Sequence, residues 1–270
     1  MSSPTAIPEN VISDPHFRVE LVSATPNPNQ TAWLAMHQCY SESFVGDETP
    51  PDERKAGEAC IKHLLASNRG HFGPLEHSQI TFATGGFPHS VMQQARTHRI
   101  STSFDVQSMR YTGSRMHRLK SYKKGILSRA EVKSTVIGKR PLDIEDLVYF
   151  RPLGFYHDRQ GSKYEYTEEM LISDMGHACS VVEHYNQRVL HDGVAEEHAR
   201  GLLPFDFRQN FVVSFNLRSL MHFLTVRGKA DAQLEIRQLC IQMLPHFAAW
   251  TPEIYEWFMT NQWLKGRLAP

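Results

Sequence analysis

The run Gln93-Gln-Ala-Arg-Thr-His-Arg99, continued by Ser101-Thr-Ser-Phe-Asp-Val-Gln-Ser-Met-Arg-Tyr111, decides how the rest of the chain is read. It gathers Arg96, His98, Arg99 and Arg110 among hydroxyls and carboxamides. Anion recognition needs this inventory: guanidinium forks for charge, hydroxyls and backbone N–H groups for orientation. Neither a Walker pattern nor a Gly-x-Gly-x-x-Gly loop occurs here. Composition alone favours a solvated basic loop. Phe104, Val106, Met109 and Tyr111 are interleaved with the polar residues, however, so the run is expected to pack against something.

A second polar concentration lies in Phe215-Asn-Leu-Arg-Ser-Leu-Met-His-Phe-Leu-Thr-Val-Arg227, within a stretch of dense apolar periodicity over 207–227. Read as a helix, it puts Asn216, Ser219 and Phe223 near one face and the i, i+4 pair Arg218 and His222 on another. Polar groups interrupting an apolar helix must be hydrogen-bonded, by the protein or by a ligand. For any one of them an internal network is as good an account; their clustering with Arg227 and with Arg200 upstream points to a polar ligand.

Outward from these two segments, residues 1–17 are rich in Pro, Ser and Asn and read as a disordered tail, leaving 18–270 as one domain. Residues 17–22 alternate like a strand, 31–40 and 52–67 read as helices, and 76–84 reads as a strand that Gly85-Gly-Phe-Pro88 must turn. Residues 89–99 look helical. The region 113–165 is basic and weakly periodic, with a strand candidate over 146–151. Helices are expected over 165–192, 194–201, 232–247 and 252–263. No internal repeat and no linker is visible, so a single α/β domain is the simplest account.

The 270 residues carry 29 Lys and Arg against 29 Asp and Glu, and this zero net charge disfavours a surface built to track nucleic acid. No apolar run approaches a membrane span and the N-terminus lacks a signal pattern, so a cytoplasmic protein is expected. Cys39, Cys60, Cys179 and Cys240 stand singly, without zinc spacing, and read as small buried hydrophobes. The 15 histidines invite a metal reading, but their spacings support none. No nucleophile elbow and no activated cysteine setting occurs, so covalent catalysis by the protein is not indicated.

Arg96-Thr-His-Arg99 followed by Ser103-x-Asp105-x-x-Ser108-x-Arg110-Tyr111 resembles the signature of the flavin-dependent thymidylate synthases, the ThyX family: Arg-His-Arg, two residues, then Ser-x-Asn-x-x-Ser-x-Arg-Tyr. Further blocks agree in order: His71-Phe-Gly-Pro-Leu-Glu-His77, Ala199-Arg-Gly-Leu-Leu-Pro204, Asn216-Leu-Arg-Ser-Leu220, Phe223-Leu-x-x-Arg227 and Ala232-Gln-x-Glu-Ile236. The resemblance runs from about residue 20 to 250. Thr97 is inserted between the first Arg and the His, the step from Arg99 to Ser103 is one residue longer, and Asp105 and Val106 replace the usual Asn and acidic residue.

The resemblance implies a twisted, mainly antiparallel sheet flanked by helices (α+β), assembled as a homotetramer with active sites between subunits. It implies conversion of dUMP to dTMP, with FAD reduced by NADPH and methylenetetrahydrofolate as carbon donor, and no enzyme-bound cysteine adduct. By motif position Arg227 is the catalytic candidate, a fixed guanidinium for charge developing on the pyrimidine. Gln93 or Gln94, Ser108, Met109 through its backbone N–H, Arg110, Arg200 and Arg227 fall to dUMP. Arg96, His98, Arg99, Asn216, Arg218 and His222 fall to FAD, and His71 to a gate at the entrance. A metal is not implied. The competing readings are a single-stranded nucleic-acid-binding module built on the loop 96–111, and a flavin-assisted methyltransferase acting on another pyrimidine nucleotide.

Overall fold

Ile80-Thr-Phe-Ala83 and Phe211-Val-Val-Ser-Phe215 alternate with period two, which puts Ile80, Phe82, Phe211, Val213 and Phe215 on one buried face of a sheet. The computed structural model describes residues 14–66, 71–120, 140–157 and 160–266. In chain order its elements are β1 (Arg18–Ala24), α1 (Pro28–Gln38), α2 (Glu53–Cys60), β2 (Gln79–Pro88), α3 (His89–Ala95), β3 (Thr102–Val106), α4 (Met109–Thr112), α5 (Ile144–Leu147), β4 (Gly154–His157), β5 (Lys163–Tyr166), α6 (Glu168–Leu190), α7 (Glu196–Ala199), β6 (Arg208–Asn216), α8 (Leu217–Arg227), α9 (Leu234–Trp250) and α10 (Pro252–Asn261).

Four strands form an antiparallel sheet in the order β1-β2-β6-β3, with Ile80 opposite Phe215 and Phe82 opposite Val213. Its apolar face packs against α3, α8, α9 and α10, where Phe223, Met243, Phe247 and Phe258 are fully buried. The other face carries Thr81, Ser214, Ser103 and Asp105, polar side chains that water can satisfy, as expected of a sheet covered on one side. A second apolar cluster, around Met116, Leu147, Val182 and Tyr185, joins α6 to the segments after α4. The expected mixed fold with a mainly antiparallel sheet is therefore present, as one domain.

Several local expectations are corrected. Gly85-Gly-Phe-Pro88 does not turn the chain: β2 runs on through a bulge between Thr84 and Phe87, which Gly86 accommodates at φ 77°. The periodicity over 207–227 is a strand followed directly by a helix, because a period of two gives way to a period near 3.6 at Asn216. The loop after α3 contains β3, an edge strand paired to β6. The strand candidate at 146–151 is the end of α5 followed by a single bridge from Val148 to Phe207. The region 113–165 holds the hairpin β4–β5, while 121–139 lie outside the described residues. Three cysteines are buried, but Cys39 is exposed.

The expected tail over 1–17 overlaps the described residues at 14–17, and these are packed. Phe17 stacks on Phe87 with ring centroids 4.2 Å apart. Asp14 Oδ2 accepts from Arg208 Nη2 at 2.8 Å, both side chains being almost wholly buried. Arg208 also donates to the carbonyls of Glu145 (2.6 Å) and Gly86 (2.8 Å). This ties the N-terminal strap, β2 and α5 to one guanidinium on β6.

At Gly86 a Cβ would fall 2.1 Å from the His16 carbonyl oxygen, in addition to the left-handed φ. Gly86→Ala is expected to destabilise the protein by about 1–3 kcal/mol or more. Chemical denaturation measures this; a midpoint unchanged from the parent would show that strap and bulge do not press on each other.

Candidate active site

The strand-to-helix joint builds the first part of the site. Asn216 ends β6 and caps α8, its Oδ1 accepting from Ser219 N at 2.7 Å. This leaves its Nδ2 as the donor free of the cap. The joint also holds the basic loop, because Ser101 O accepts from Ser219 Oγ at 2.9 Å and from Asn216 N at 3.3 Å. Ser101 takes φ 55°, which turns the chain from the loop into β3. Along α8, Leu217, Leu220, Phe223 and Leu224 face the core, while Arg218 and His222 are exposed on the opposite side.

Arg227, at the end of α8, is knotted to the same loop. Its Nε donates to His98 Nε2 at 2.9 Å and its Nη2 to Thr97 Oγ1 at 2.8 Å and Gln94 O at 3.3 Å. Thr97, the inserted residue, thereby becomes an Arg227 ligand. No carboxylate pairs with Arg227 among the described residues, so its charge is available to an anion. His98 packs edge-on against Phe223 and His222. Burial first, then the charges of Arg227 and His222, pushes it down to about 4, so at neutral pH it is an uncharged acceptor for Arg227. Gln94 donates to Gln233 Oε1, and Gln93 to His89 Nε2 at 2.8 Å. Arg96 and Arg99 are exposed on the loop.

Outside α8 lies a cavity of about 640 Å³ lined by Asn216, Arg218, His222, Ser101, Phe72 and Glu76, and also by residues 261, 262, 265 and 266. Its size suits a cofactor-sized ligand. Arg218 donates to Glu76 and lies 5.5 Å over the Phe72 ring. Phe72, Ile100 and Met221 supply apolar surface for a planar ring system, and Arg218, His222 and Ser101 supply donors, so the lining fits a flavin nucleotide. His71 is exposed next to Phe72.

The remaining expected residues stand elsewhere. Ser108 caps α4, its Oγ accepting from Arg110 N at 3.3 Å. Arg110 pairs with Glu197 of α7 at 3.6 Å, and exposed Arg200 follows α7. Met109 is buried and Arg110 exposed. Between this group and the Arg227 knot runs the five-residue strand β3, about 16 Å long at about 3.3 Å per residue. One chain therefore presents two separate groups, one at each end of β3.

Sequence reasoning missed Arg115. Its Nη1 donates to Gln107 Oε1 at 2.8 Å and its Nη2 to the Arg208 carbonyl, against Met109 Sδ, so it holds the turn at Ser108 from beneath. Burial pushes it down to about 10. No spacing signal marks it, since its partners come from 107 and 208. Ser101 and the residues after 260 were also missed, for the same reason. Burial pushes the Cys60 and Cys179 thiols up to about 12, and no cysteine lines the cavity. Among the described residues, no group of three metal-ligating side chains converges and no helix is long and apolar enough to cross a membrane.

The sequence profile of the family described as Thymidylate synthase complementing protein (Thy1) matches residues 20–253. A flavin-dependent thymidylate synthase from Haloarcula marismortui is 34% identical over 268 residues, covering 93% of this chain and 99% of its own. One from Halobacterium salinarum is 34% identical over 265 residues, covering 94% and 100%. Among solved structures, thymidylate synthase X from Helicobacter pylori with FAD and dUMP superposes with a TM-score of 0.64 at 17% identity, over 90% of this chain and 100% of that one. A UMP/dUMP methylase from Streptomyces cacaoi, bound with 5-Br UMP, gives 0.62 at 22% identity, over 94% and 96%. These two likenesses concern the fold.

Because the folded pKa of His98 is depressed below the unfolded value, the unfolded state binds the proton more readily. The stability contributed by neutral His98 is full above about pH 6.5 and is lost as pH falls from there towards about 4. The ring resonances of His98, followed by NMR, are expected to titrate well below those of exposed histidines; a midpoint at 6.5 or above would falsify the neutral acceptor.

Proposed function

The chain belongs to the thymidylate synthase complementing protein family, the flavin-dependent thymidylate synthases, and from that premise we propose how its residues divide the reaction. Its substrate is dUMP, its product dTMP and its cofactor FAD, with NADPH as reductant and methylenetetrahydrofolate as carbon donor. When bound, FAD supplies the reducing equivalent that the one-carbon transfer requires. The cavity outside α8 holds the flavin, with Asn216, Arg218 and His222 against it and Arg96, His98 and Arg99 at its phosphate side. His71 guards the entrance.

The nucleotide is gripped by Ser108, the Met109 N–H and Arg110, with Arg200 beside the pyrimidine and Gln93 or Gln94 contributing from the helix before the loop. Arg227 sets a guanidinium against the pyrimidine carbonyls, where negative charge grows as the ring is attacked. Its knot to His98, Thr97 and Gln94 O fixes it in advance, so little reorganisation is needed when the charge appears. No thiol is used.

The observation that carries this reading is the separation of the two groups by β3. Within one chain the Arg227 knot and the phosphate candidates stand at opposite ends of this strand. A site completed by a second copy would bring both kinds of group to one nucleotide, and the homotetramer is the assembly we assign. The nucleic-acid-binding alternative needs a row of exposed aromatic faces; Phe104 instead packs on Phe211 and Phe215.

The purified protein is expected to show a flavin absorption spectrum that dUMP perturbs. Arg227→Ala and Arg110→Ala should each lower kcat by about 100-fold or more while flavin stays bound. Refolding the two inactive variants together should restore part of the activity, because mixed assemblies contain sites with both arginines intact. Activity in the mixture no higher than in either parent would refute the shared site.

A further inference from the structure

The flavin cavity has a wall that lies outside the residues the family profile matches. The profile ends at 253, whereas Asn261, Gln262, Lys265 and Gly266 line the cavity together with Arg218 and His222. This C-terminal turn is a built element. Gln262 N and Trp263 N both donate to Phe258 O, at 2.8 and 3.0 Å, which ends α10. Leu264 then takes φ 58° and reverses the chain.

Two glycines let the turn dock on α8. The Trp263 ring lies so close over Gly228 that a Cβ there would fall 2.2 Å from it. A Cβ on Gly266 would fall 2.9 Å from the Thr225 carbonyl oxygen. Thr225 Oγ1 also lies 3.5 Å from Gln262 Oε1. The turn is thus seated on the last two turns of α8 and adds Gln262 and Lys265 to the cavity lining.

The charge balance of the cavity indicates what the wall meets. Glu76 is engaged by Arg218. Lys265 donates to the Thr260 carbonyl, and no carboxylate pairs with it among the described residues. The cavity lining therefore carries a surplus positive charge at the C-terminal turn, suited to an anionic part of its occupant.

We propose that residues 261–266 are a C-terminal latch over the flavin site, in which Lys265 contacts the FAD diphosphate and Gln262 its polar chain. This rests on the cavity being the FAD site. Lys265 is exposed, so its replacement leaves the core untouched.

The experiment is a fluorescence titration of apoprotein with FAD at several NaCl concentrations, for the parent, Lys265→Met and Lys265→Arg. Lys265→Met is expected to raise the Kd for FAD about tenfold or more and to flatten its salt dependence, since one screened charge contact is lost. Lys265→Arg should restore most of the affinity. A Kd for Lys265→Met within twofold of the parent overturns the proposal. So does a loss that Lys265→Arg leaves unrepaired with the salt slope unchanged, which would mean a structural role only. Failure of the parent itself to bind FAD is a different result: it sinks the cofactor reading, and the latch assignment with it.

Discussion

The joint at Asn216 is the constraint on which the site depends. A β-strand and an α-helix meet there without a loop, so the first backbone N–H groups of the helix need partners at once. The Asn216 side chain satisfies one, and Leu217 N reaches back to Ser78 O at 2.9 Å. Because β6 is a central strand, α8 inherits the rigidity of the sheet. The basic loop inherits it in turn through Ser101 O. Arg227, three turns along, closes the circuit by binding that loop from its other side. The charge-bearing groups are thereby held by a ring of short contacts instead of a mobile loop, which is what preorganisation requires.

Electrostatics inside this ring are arranged so that one cation is left over. Had His98 been charged, it would have repelled Arg227 and His222 at close range; burial and those neighbours keep it neutral, so it serves as an acceptor that orients the guanidinium. At the other end of β6 a different arginine plays a purely architectural part. Arg208 meets Asp14 and two carbonyls and stacks over Phe17 and Tyr149 at 5.9 and 5.5 Å, a fully matched buried cation. Losing either partner of such a pair strands a charge in the interior. The contrast between Arg208, fully satisfied, and Arg227, satisfied only by neutral groups, separates a strut from a residue poised for an anion.

Within one chain β3 stands between the two groups of candidate residues. Its residues alternate between core and solvent, and its length sets the distance between the Arg227 knot and the turn at Ser108. That turn is itself underpinned by Arg115, which no motif marks. Each of the two groups is therefore braced by its own contacts, one at either end of β3.

The sequence by itself determined the strongly periodic elements: the alternation of Ile80 and Phe82, the core stripe of α8 and α9, and the long helix α6 were all legible because local period reports burial directly. The ordered blocks from His71 to Ile236 likewise determined the family. Short-range pattern could not locate β3, whose pairing to β6 supplies the ordering contacts, nor the continuation of β2 through Gly85 and Gly86, which depends on a bulge opposite Gln209 and Asn210. Tertiary structure alone decided which groups meet: Thr97 with Arg227, Arg115 with Gln107 and Arg208, the C-terminal turn with the cavity outside α8. The reason is physical: these contacts join residues tens to more than a hundred positions apart in most cases, and their energy exists only once the sheet has brought them together.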